Sequence, residues 1–139
     1  MVPRTLATAV AVVLAAAASG CGRETNHDVR VSIEQISSIA SEGALMADDV
    51  ARDRTKNTYV RVHGEELSSQ AEHEAEKLND APIDPALRAR VEKAIGLAGE
   101  IGGGIDDLRV GPQDRQKAAQ TVQDLKKWAD EARKLADSI

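Results

Sequence analysis

Phenylalanine is absent from this chain of 139 residues, and tyrosine, tryptophan and cysteine occur once each, as Tyr59, Trp128 and Cys21. A single cysteine excludes an intrachain disulfide and any zinc site built on paired cysteines. With almost no aromatic rings, an interior must be filled by Ala, Val, Leu and Ile, which suits closely spaced helices better than packed β-sheets. Basic clusters are missing too: 18 Lys and Arg stand against 23 Asp and Glu, with no block of basic residues. That balance argues against nucleic acid as a partner and against electrostatic adhesion to anionic lipid. The longest apolar run, Leu6 to Ala18, has 13 residues including a Thr, short of the roughly 20 that a spanning helix needs.

Signatures of catalysis are also lacking. No Gly-x-Ser-x-Gly elbow or phosphate loop occurs. Di-iron bundles need Glu three residues before His, twice; the corresponding places before His63 and His73 hold Val60 and Gln70. The pairs Asp48-Asp49, Glu65-Glu66 and Asp106-Asp107 are adjacent in sequence and so project from different helix faces, the wrong arrangement for a shared acid-base site. No enzymatic activity and no cofactor is expected.

What the chain does have begins at its start. Met1-Val2-Pro3-Arg4 gives a short positive segment, Leu6 to Ala18 the apolar stretch, and small residues follow, the layout of a secretory signal. Ala18-Ser19-Gly20-Cys21 resembles the lipobox of bacterial lipoproteins, in which the signal is cut just before an invariant cysteine. The resemblance covers the first 21 residues. It implies cleavage between Gly20 and Cys21 and a thioether-linked diacylglycerol on Cys21, usually with an added N-acyl chain such as palmitate. It places the protein at the cell membrane, facing away from the cytoplasm. Residues 1–20 are then the signal peptide, 21–28 a short tether and 29–139 the folded domain; the mature 119 residues carry 17 basic and 23 acidic side chains, a net charge of −6.

From Val29 the spacing turns helical. Val29, Ile33, Ile36, Ala40, Gly43, Ala47 and Val50 recur at alternating intervals of four and three, one continuous seam. Arg54 to Thr58 is rich in capping residues and predicts a turn. A second, narrower stripe follows in Val60, Gly64, Leu67, Ala71, Ala75 and Leu78. Its opening, Thr58 to His63, alternates like a strand, but the next twenty residues do not, so the segment reads as helix. Asn79 to Pro85 contains two prolines, and Asp84-Pro85 is an N-cap followed by proline at the first helical position. Leu87, Val91, Ala94, Ala98, Ile101, Ile105 and Leu108 form the third seam, ended by Gly111-Pro112, where glycine can take the left-handed conformation. The last segment carries Ala118, Val122, Leu125, Ala129, Ala132 and Ala136, with Thr121, Trp128, Leu135 and Ile139 alongside. Four amphipathic segments joined by short turns predict an all-α, antiparallel up-down-up-down four-helix bundle, with a three-helix bundle as the alternative.

Two local features carry the functional expectations. Five glycines fall in the third segment; Gly96, Gly99 and Gly103 share a face, which predicts close approach of a neighbouring helix, or a break at Gly102-Gly103-Gly104. Tyr59, His63, Glu66, Gln70 and His73 line one side of the second segment. That side is either a solvated outer face or, through His63, Glu66 and His73, a metal-binding or pH-sensitive surface. The expectation is therefore a membrane-anchored envelope lipoprotein whose bundle binds a partner, such as another envelope protein. The alternatives are a metal-binding protein using His63, Glu66 and His73, and a carrier of an apolar ligand between its alanine and glycine faces.

Overall fold

The computed structural model describes residues 26–139, and all regular structure in that range is helical: α1 Asn26–Ala51, α2 Asn57–Asp80, α3 Arg88–Val110 and α4 Arg115–Asp137. A single 3-10 turn, Pro85–Leu87, leads into α3. The expected signal peptide, the expected cleavage site and Cys21 lie outside the described residues. The four helices pack against one another as the antiparallel bundle expected, and the three-helix alternative is excluded by turns at Arg52–Lys56, Ala81–Asp84 and Gly111–Asp114. α1 starts at Asn26, three residues before the expected boundary at Val29. Asp28 in its first turn favours that start, because a carboxylate offsets the positive end of the helix dipole. No helix among the described residues is long and apolar enough to cross a membrane.

All seven seam residues of α1 are buried, as are Leu87 and the α3 seam and all six alanine-rich positions of α4. Packing is uneven around the bundle: α1 meets α4 most extensively and α2 meets α3, while α1 and α3 also touch across the middle. Small side chains make the tight pairs possible. Ser37 of α1, buried, donates from Oγ to the backbone carbonyl of Ala129 in α4 at 2.9 Å, a bond that needs the two helix backbones close together. At the centre, Ile105 and Leu125 fill the space left by Gly43, where an added Cβ would lie 3.0 Å from Ile105 Cδ1 and 3.3 Å from Leu125 Cδ1. Gly64 of α2 faces the same side chain: a Cβ there would lie 3.7 Å from Ile105 Cγ2.

The glycines of α3 behave differently from the sequence expectation. α3 runs unbroken through Gly102-Gly103-Gly104. A Cβ built at Gly96, Gly99 or Gly103 would meet nothing within 4 Å, so this face is open rather than pressed against a helix. The close approach belongs to Gly104, where a Cβ would lie 3.1 Å from Trp128 Cζ3; at Gly102 it would make ordinary contact, 3.7 Å from Ser68 Oγ. Glycine costs a helix interior roughly 0.8–1 kcal/mol relative to alanine, and at Gly99 no packing offsets the cost. Gly99→Ala is expected to raise stability by about 0.5–1 kcal/mol, read as a shift of the urea midpoint at unchanged slope.

The turns use side chains more than glycine. Asp84 accepts from the Ala86 amide at 2.8 Å, and Asp114 caps α4 through the Lys117 amide at 2.9 Å. α3 ends with the Gly111 amide bonded to the Asp107 carbonyl at 3.1 Å, but Gly111 has φ −118°, so termination does not need the left-handed conformation expected there. Pro112, buried, stops the helix by itself. The left-handed residue is Asp53, φ 56°, in the α1–α2 turn. Around it Arg52 and Arg54 bind Asp48 at 2.9 and 2.8 Å, and Arg54 also reaches Asp49 at 2.9 Å. This topology puts the start of α1, the α2–α3 connection and the end of α4 together at one end of the bundle.

Candidate functional site

The polar side of α2 is built by the same periodicity that buries Val60, Gly64, Leu67, Ala71 and Leu78. Its rotation leaves one flank against α1 and the other against α3. Tyr59 is half exposed and stacks on His63, the ring centroids 5.1 Å apart and 25° from parallel. His63 is mostly covered, its side chain 19% exposed, and lies between two carboxylates. Nε2 is 2.9 Å from Glu42 Oε1 across the interface with α1, and Nδ1 is 3.6 Å from Glu66 Oε2 on its own helix. One turn on, Gln70 Nε2 is 3.5 Å from Glu66 Oε1. His73 is exposed, in the wall of a cleft between α1 and α2.

His63 is therefore a strap between two helices. Nε2 meets a carboxylate that the sequence did not single out. Glu42 lies on the flank of α1 and carries no spacing signal that connects it to α2; only the rotation of both helices brings the pair together.

The suggested set His63, Glu66 and His73 does not converge. Ten residues separate the two histidines, about 15 Å along a helix rising 1.5 Å per residue, whereas a metal ion holds its nitrogen ligands at about 2.0–2.1 Å. Among the described residues no group of three or more His, Cys, Asp and Glu side chains is placed to hold a metal ion.

Elsewhere, side chains of α1, among them Ser37, Ser41 and Leu45, line with Arg133 of α4 a depression of about 590 Å³. Leu45, at 69% exposure, stands with Tyr59 and Val62 among the few large apolar side chains that the bundle leaves in solvent. In the interior, the seams between helices are occupied by Ile33, Ile36, Leu67, Ile101, Ile105, Leu108 and Leu125, all fully buried. Comparison of the chain with protein-family models, curated proteins and solved structures gives no match.

Proposed function

We propose that this chain is a lipid-anchored protein of the cell envelope whose helical bundle serves as an interaction module at the membrane surface. The observation that carries this reading is the sequence Ala18-Ser19-Gly20-Cys21, with α1 starting only five residues after the cysteine. Two or more acyl chains on Cys21 give a stable tether, each buried methylene contributing about 0.8 kcal/mol, where one chain binds only reversibly. Five residues reach at most about 18 Å when extended. The start of α1, the Ala81–Asp84 connection and the end of α4 then face the bilayer, and the flank of α2 carrying Tyr59 and His63 stands upright from it.

Mass spectrometry of the tryptic N-terminus tests the reading. Cleavage after Arg23 should release Cys21-Gly22-Arg23 bearing a thioether diacylglycerol, with or without an N-acyl chain. A mature protein that retains Ala18 to Gly20, or starts at an unmodified Cys21, would contradict it.

A further inference from the structure

Between α1 and α2, Gln35, Ile39, Ser69, Gln70, His73 and Glu74 enclose a cleft of about 530 Å³. Glu74 is the least exposed of the acidic side chains that form ion pairs here, at 16%. Its Oε2 is shielded from solvent and has no hydrogen-bond donor among the described residues. Lys77 Nζ, from one turn along the same helix, stands 3.9 Å from that oxygen, outside hydrogen-bond range, on a side chain 43% exposed. A shielded carboxylate oxygen without a donor is a costly arrangement, and a turn of the Glu74 side chain into the cleft it lines would let an incoming N–H group relieve it.

The surroundings select the sign and type of that group. Neither Val31 to Ala51 of α1 nor Val62 to Glu76 of α2 contains a Lys or Arg, while together they hold nine Asp and Glu. Residues 26–80 carry six basic and twelve acidic side chains, a net −6, against ten of each in 81–139. The net negative charge of the bundle is thus concentrated on the two helices that form the cleft, a field that draws cations toward it. With Gln70 Nε2 directed at Glu66, its carbonyl oxygen is the free acceptor, and Gln35 and Ser69 supply further oxygens beside the apolar wall of Ile39. One carboxylate and one imidazole among neutral groups make a poor site for a divalent metal.

We infer that this cleft binds an organic cation, a primary ammonium or guanidinium group, donating to Glu74 and the neighbouring side-chain oxygens with its methylenes against Ile39. The group is either a free polyamine or a Lys or Arg side chain of a protein partner. The inference builds on the interaction-module reading and names the chemistry of what the module meets; attachment at Cys21 does not enter it.

The test is an NMR titration of the full chain in non-ionic detergent at constant ionic strength. Butylammonium, ethylguanidinium, spermidine and a capped Ala-Lys-Ala peptide are the probes. Saturable shifts of the Gln35, Ser69 and Gln70 signals are expected. Glu74→Gln should weaken binding by about tenfold or more with helicity unchanged and the melting temperature no lower, and Lys77→Met should strengthen it by removing the internal competitor. Tighter binding of spermidine assigns a polyamine, and tighter binding of the peptide assigns a partner side chain. Shifts that fail to saturate, that sodium chloride reproduces, or that persist at equal affinity in Glu74→Gln would overturn the site. Saturable shifts in a chain whose Cys21 is unmodified would support the cation site while removing the membrane reading.

Discussion

Ile105→Ala is expected to cost about 3–5 kcal/mol, the upper part of the range for truncating a buried isoleucine. At ~4 °C per kcal/mol for a domain of this size, the melting temperature should fall by roughly 12–20 °C. The side chain is fully buried where α1, α2 and α3 meet. Both helices that face it present glycine there, Gly43 from α1 and Gly64 from α2. Gly43 and Gly64 therefore offer no side chain to fill the cavity, leaving Leu125 and Met46 near those positions, and limited collapse is the condition under which truncation is most costly.

The same geometry fixes the sign of a rescue. In the parent chain a Cβ at position 43 would press on Ile105 Cγ1 and Cδ1, both at 3.0 Å. Both atoms are gone in Ile105→Ala, so adding Gly43→Ala should then return about 1 kcal/mol from helix propensity alone. Thermal melts of the four proteins in a double-mutant cycle measure the coupling. An equal effect of Gly43→Ala in both backgrounds would show that the two residues do not share the space described.

Most of the fold could be read from the chain because alanine, valine, leucine and isoleucine recur at strict four-three intervals, and every residue of the α1, α3 and α4 seams is buried. Asp84-Pro85 and Asp114 mark two helix starts for equally local reasons, a carboxylate meeting the first free amides. Glycine was the difficulty, since it has no side chain to indicate a face. The spacing does contain the answer: at about 100° per residue, Gly96, Gly99 and Gly103 lie opposite Ile101 and Ile105, on the side the seam turns to solvent. The helical rise over ten residues likewise keeps His63 and His73 apart, a separation that spacing alone dictates. What the spacing could not supply is contact between helices. The pairing of His63 with Glu42, and the cleft in which Glu74 meets Gln35 and Ile39, depend on how two helices are rotated and slid past each other.

Replacing Cys21 removes the only thiol in the chain and with it the proposed site of every thioether-linked acyl chain. Loss of two or more chains, at about 0.8 kcal/mol per buried methylene, should lower membrane association of the signal-cleaved chain by more than about 100-fold. The bundle itself begins at Asn26, so the substitution should leave its helicity and melting temperature unchanged.

Fractionation of cells expressing the parent chain or Cys21→Ala, with the N-terminus of each product sequenced, tests the lipid anchor. The parent should sediment with the membranes and the signal-cleaved variant should stay in the soluble fraction; a cleaved variant that remains as membrane-bound as the parent would contradict the lipid anchor.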